Sequence, residues 1–299
     1  IGSETGTAGK VTVKTGNGVI DVLKSVAATN IEVENGNGDI VIGINKPSEE
    51  TVSATENISL ITKLGQIEIY GKTSTVNKDI IMKAAANSYD EENPGSNFII
   101  GQYGELASGR DITLEGRNGD IHVIDDIKAQ RNISAVIQEQ GSLYFDNNLD
   151  VDGTVTVEVN EGSISVGASV TAGQDVLLKT ASGNIDVDEK VKSENGGIEV
   201  TIGKGNVHIG DLGETDDAVA ATGDVVLATG EGKIAISGKT KSESGDVTIS
   251  AKSDGYTPGA DGMNIIIDHS GKVEAGNSVH LVAGNGDLHI SDRVSSGKD

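Results

Sequence analysis

Val155-Thr156-Val157, Val176-Leu177-Leu178 and Ile198-Glu199-Val200 repeat one phrase, apolar-x-apolar, at steps of 21 and 22 residues. The phrase continues backwards through Ile133-Ser134-Ala135 to Ile112-Thr113-Leu114 at the same spacing. Alternation with a period of two marks a strand with one buried face. Nine residues after most of these starts a second triplet follows, as in Ile31/Ile40, Ile112/Ile121, Val155/Ile164 and Ile198/Val207. Six residues further on comes a third apolar point, at Val26, Ile127, Leu149, Val170, Val191 and Val294. Asn-Gly, Gly-Asn, Ser-Gly and Gly-Asp pairs separate these segments and supply positive φ and side-chain turns, so they are corners.

A strand this short has no stability alone, but it can lie beside its counterpart one turn later. The chain therefore reads as all-β, a single parallel β-helix (β-solenoid) with three short strands per coil of about 21–22 residues. Twelve coil starts are legible, at Val11, Ile31, Ile58, Ile80, Ile112, Ile133, Val155, Val176, Ile198, Val225, Val247 and Val279. At about 4.8 Å per coil they predict a rod of roughly 55–60 Å. Residues 1–299 are expected to form one continuous solenoid without a separate second domain. The first and third residues of each triplet should fill the bore, and the middle ones, Thr, Ser, Glu, His or Asp, should face out.

A longer repeat overlies the coil. Residues 31–129 recur at 198–296 without a gap: Ile31-Glu32-Val33 returns as Ile198-Glu199-Val200, and Gly71-Lys72-Thr73 as Gly238-Lys239-Thr240. The match preserves the lengths of two inserts, so it preserves three-dimensional register.

Composition narrows the chemistry. The chain has no Cys, which rules out disulfides and thiolate zinc sites. No apolar run approaches the roughly 18 residues of a membrane span, so direct membrane insertion is not expected. A net charge of −23 disfavours nucleic acid and anionic membranes as partners. Aromatics make up 2% of residues, which suits a narrow bore lined by β-branched side chains.

Four motifs invite a chemical reading. Gly36-Asn37-Gly38-Asp39 and Gly284-Asn285-Gly286-Asp287 resemble a Ca²⁺-binding Gly-rich nonapeptide, but the Asp follows Gly directly and the unit returns once per coil, which fits a corner. A cation between Asp79 and Asp111, or between Asp224 and Asp246, would relieve like charges on neighbouring coils, and gives an expectation of weak Ca²⁺ association at best, with no dedicated cofactor or metal site. Gly71-Lys72-Thr73 and its twin fail as phosphate loops: five residues lie between Gly65 and Gly71, and between Gly232 and Gly238, where the loop requires four, and no helix follows. His122, His208, His280 and His289 fall on outward middle positions, and catalysis would need one beside a carboxylate and a Ser on the same wall. No catalytic residue is assigned.

The inserts carry more. Gly43 to Asn57 matches Gly210 to Asp224, and Ala84 to Asn97 matches Ala251 to Asn264. They hold all three prolines and both Tyr89 and Tyr256. Pro47, Glu49, Glu50, Tyr89, Asp90, Glu91, Glu92, Tyr256 and Asp261 are the candidate partner-contact residues, because a rigid scaffold places recognition on its loops.

The coil phrases Gly-Asn-Gly-Asp-Ile at 36–40, Ser244-Gly245-Asp246-Val247-Thr248-Ile249-Ser250-Ala251 and Val279-His280-Leu281-Val282-Ala283-Gly284-Asn285-Gly286-Asp287-Leu288 resemble the repeats of filamentous-haemagglutinin-like bacterial exoproteins. That group includes two-partner-secreted adhesins and leukotoxin-like giant repeat proteins. The resemblance implies a right-handed β-helix, an extracellular place at the bacterial cell surface, and adhesion. The expected function is a rigid extracellular stalk with a structural and cell-contact role and no enzymatic activity. Its expected partners are copies of itself or further repeats end to end, together with a host or neighbouring-cell surface. A self-assembling filament or surface-layer subunit is the alternative, and a polysaccharide-cleaving β-helix enzyme a remote one.

Overall fold

The computed structural model of the chain describes residues 8–44, 51–85, 96–210, 217–252, 263–268 and 271–298. Among them every regular element is a β-strand and none is a helix. The chain divides into two compact units, Ile1–Asn147 and Asn148–Asp299.

In the first unit Val11 pairs with Ile31, Ile31 with Ile58, Ile58 with Ile80, Ile80 with Ile112 and Ile112 with Ile133, all in parallel. In the second, Val155 pairs with Val176, Val176 with Ile198, Ile198 with Val225, Val225 with Val247 and Val247 with Val279. All twelve coil starts thus sit in register, six in each unit. These ladders form the first wall.

Second triplets stack the same way. Ile20, Ile40, Ile67, Phe98, Ile121 and Leu143 make one row, and Ile164, Ile185, Val207, Ile234, Ile265 and Leu288 the other. The third wall carries Val26, Val52, Thr73, Leu106 and Ile127 in the first unit. In the second it carries Leu149, Val170, Val191, Val219, Thr240, Val273 and Val294. Each unit is a three-walled parallel β-solenoid.

The columns are buried and aliphatic. Ile40, Ile58, Ile67 and Ile80 of the first unit and Val155, Ile164, Val225 and Val247 of the second are fully buried. Each contributes about 1.5–3 kcal/mol of transfer free energy, against the ordering entropy of its residue. Both phenylalanines, Phe98 and Phe145, also lie inside the bore, on the second wall of the first unit. A benzyl group fits there because it has no polar atom to satisfy.

First-wall strands run further than the triplets that announce them. Val155–Glu161, Val176–Ser182, Ile198–Lys204 and Val225–Glu231 each span seven residues. Their fifth residue also faces inward, but it is often polar: Asn35, Thr62, Thr180 and Thr229 are all buried. The hydroxyls of Thr62, Thr180 and Thr229 donate to the carbonyls of Gly38, Gly162 and Gly205, each at 2.8 Å. Asn35 donates to the Gly18 carbonyl at 2.6 Å. A polar residue at the end of the strand thereby anchors the first corner, where the backbone turns away and leaves a carbonyl to satisfy.

At that corner glycines stack on one another. Gly162, Gly183, Gly205 and Gly232 all have positive φ, and a Cβ on any of the last three would collide with the carbonyl of the glycine one coil before. The coil spacing of the corner therefore requires glycine on two counts, conformation and contact.

Candidate functional surfaces

The nine insert residues singled out above, Pro47, Glu49, Glu50, Tyr89, Asp90, Glu91, Glu92, Tyr256 and Asp261, lie outside the described residues. What is described is where the inserts are rooted. Gly43 and its twin Gly210 leave the second wall with φ of 81° and 93°. Asn97 and its twin Asn264 return the longer inserts to the second wall at a register shift, with their side chains fully buried. Asn97 Nδ2 donates to the Gly119 carbonyl at 2.7 Å and Asn264 Nδ2 to the Asn285 carbonyl at 2.8 Å. Both copies of the duplicated block thus root the longer insert through the same buried amide.

The Gly-Lys-Thr motifs are wall, not loop. Thr73 and Thr240 take up inward positions of the third wall, and their hydroxyls are buried without a hydrogen-bond partner. The neighbouring lysines point out into ion pairs, Lys72 with Glu105 at 3.2 Å and Lys239 with Glu274 at 2.9 Å. A phosphate would find neither a glycine cradle nor a free hydroxyl there.

The Asp and Asn residues before each triplet form ladders of their own. Asp39 Oδ1 accepts the Gln66 amide at 2.9 Å, Asn184 Oδ1 the Asn206 amide at 2.9 Å, and Asn206 Oδ1 the Lys233 amide at 2.9 Å. Asp120 accepts the Ser142 amide at 2.7 Å, although burial raises its pKa. The same holds before the first wall: Asp224 accepts the Asp246 amide at 2.8 Å, and Asp246 accepts the Ser278 amide and the Asn277 side chain. Between Asp79 and Asp111 the bridging charge is arginine. Arg131 grips Asp111 through two nitrogens, at 2.9 and 2.5 Å, and holds its carboxyl below the usual range. Arg110 reaches Asp79 at 3.2 Å. Among the described residues no three His, Cys, Asp or Glu side chains gather as metal ligands.

Among the described residues two histidines lie within hydrogen-bond distance of carboxylates. His122 Nε2 lies 3.0 Å from Asp146 and His208 Nδ1 3.1 Å from Asp186. Ser165, Asp186 and His208 are in register on three successive second-wall strands. The order is wrong for a nucleophile: the Asp stands between, and puts Ser165 two rungs, about 9.6 Å, from the imidazole that would take its proton.

Two surfaces were not singled out in the sequence. On the third wall of the second unit, Lys192-Ser193-Glu194 and Lys241-Ser242-Glu243 flank the small Ala220, leaving a shallow polar depression of about 250 Å³. Its ammonium groups are already paired, Lys192 with Glu194 at 3.0 Å and Lys241 with Glu243 at 3.2 Å. The repeated Lys-Ser-Glu phrase was the available signal. On the second wall of the first unit, Tyr144 packs edge-on against His122 with ring centroids 5.7 Å apart. Three coils earlier, the Tyr70 ring covers Gly101 and hydrogen-bonds Glu68, and burial and that bond raise the Tyr70 pKa.

The fold and these surfaces define a parallel β-solenoid repeat protein. No family model, curated protein or solved structure matches the chain.

Proposed function

We propose that the chain is a rigid spacer, the extracellular repeat stalk of a bacterial surface exoprotein of the filamentous-haemagglutinin-like kind. The observation that supports this most is the unbroken register of the coil starts within each unit, from Val11 to Ile133 and from Val155 to Val279. A stack that keeps register coil after coil resists bending, because tilting one coil breaks three ladders at once. Its outward positions are free to vary, so recognition can be added at inserts without disturbing the column. In this reading the inserts rooted at Asn97 and Asn264 contact a host or neighbouring-cell surface, and the coils hold them at a distance.

Electron microscopy of the native assembly on its producing cells tests the reading. Single tapering rods anchored at the cell surface are expected. Indefinite fibres or sheets would replace the stalk with a self-assembling filament or surface layer, and an intracellular location would overturn both.

A further inference from the structure

Every aromatic residue among those described, Tyr70, Phe98, Tyr103, Tyr144 and Phe145, lies on the second wall of the first unit or the corner that follows it. The duplication provides an internal control. In the second copy the counterparts of Tyr70 and Phe98 are Ser237 and Ile265, and that copy forms the same ladders without them. Coil formation therefore does not require a phenol at position 70, on the outer face.

Basic residues are absent from the strands of the same wall, as they are from the second-wall strands of the second unit. None of the second-wall strands of the first unit, Ile20–Val22, Ile40–Ile42, Ile67–Ile69, Ser96–Ile100, Asp120–Val123 and Leu143–Phe145, contains Lys or Arg. Its outward row runs Glu68, Ile99, His122, Tyr144, with Asp146 just beyond. Tyr144 is 37% exposed and the Asp146 side chain 49%. Rings and carboxylates in strands that hold no Lys or Arg make a surface complementary to positive charge.

We propose that this face binds an extended peptide segment carrying two arginine or lysine side chains four residues apart. One cation sits against the outer side of the Tyr70 ring and the Glu68 carboxylate, the other against the Tyr144 ring and the Asp146 carboxylate, beside the bonds these groups already make to one another and to His122. Three rungs separate these two stations, about 14 Å, which an extended strand covers in four residues. A neutral saccharide would leave both carboxylates without a charge partner. The inference is independent of the stalk reading, since it concerns one face of one unit.

The test titrates the full chain at low salt with two blocked peptides of equal composition, Arg-Ser-Gly-Ser-Arg and Ser-Arg-Arg-Gly-Ser, and with a neutral glucose hexasaccharide. Since the chain has no Trp, tyrosine emission reports binding directly. The spaced peptide should bind at least about threefold tighter than the adjacent one, and Tyr144→Leu and Asp146→Asn should each weaken it about fivefold. Ser165→Ala, on the second unit, should leave it unchanged, and the melting temperatures of the variants should match the parent. Equal binding of the two peptides, or binding indifferent to both face variants, would reduce the effect to the net charge of −23 and overturn the proposal. Binding of the saccharide alone, lost in Tyr144→Leu, would overturn it in favour of a sugar-binding face.

Discussion

The Thr180 hydroxyl donates to the carbonyl of Gly162 at 2.8 Å, across one coil and into the first corner, while the Thr240 hydroxyl, equally buried, donates to nothing. The same residue type is thus a fastener in one column and a burden in another. Thr240 and its twin Thr73 each interrupt the third-wall column of their own unit, otherwise built from Val, Leu and Ile.

Threonine-to-valine substitution should therefore change sign with position. Thr180→Val removes a bond and strands a carbonyl, and should cost about 1–2 kcal/mol. Thr240→Val replaces an orphaned hydroxyl by a methyl of the same shape, and should stabilise by about 1 kcal/mol. Urea unfolding of the two variants measures both; equal shifts in the same direction would contradict the assignment.

The glycine stack predicts a second contrast. Gly205 has φ of +139° and no room for a Cβ beneath the Gly183 carbonyl. Gly205→Ala should destabilise by about 2 kcal/mol or more. Gly16, with open space around its Cα, should accept Ala with a change within about 0.5 kcal/mol. Thermal melting of the pair reads the difference.

Acid should weaken the first unit through its lysine–glutamate ladder. Hydrogen bonds from Lys10 and Lys14, at 2.5 and 2.8 Å, hold the Glu32 carboxyl down to about 2. A carboxyl depressed on folding contributes stability above its unfolded value of about 4.3 and loses it as pH falls towards the folded value. The melting temperature should fall as pH is lowered from about 4.3 to 2. Glu32→Gln should make that slope shallower, and high salt should reduce the contribution at neutral pH.

Calcium should matter little. Arg110 and Arg131 already neutralise Asp79 and Asp111, and backbone amides occupy Asp224 and Asp246. Adding EDTA should leave the melting temperature unchanged, and a clear drop would reveal a cation site.

Much of this fold could be read from residue order alone, because the coil is a local repeat: a period of two fixes which face of a strand is inward, and a period near 21 fixes what lies above it. All twelve predicted starts pair with their neighbours within the two units for that reason. The fifth strand residue was not legible as core, since Thr180 and Thr229 look like solvent-facing residues until a carbonyl of the neighbouring coil is placed beside them. Nor did the sequence separate the lysines of the Gly-Lys-Thr motifs, which face out, from their threonines, which face in.

Composition and spacing determined by themselves the three-walled coil, the aliphatic columns, the glycine corners and the duplicated block, since each depends on contacts whose sequence distance is constant. Tertiary structure alone decided what meets across the coils: Arg131 on Asp111, His122 against Tyr144, and Tyr70 over Gly101. Those pairs join residues more than 19 positions apart, and only stacking brings their side chains within a few ångströms.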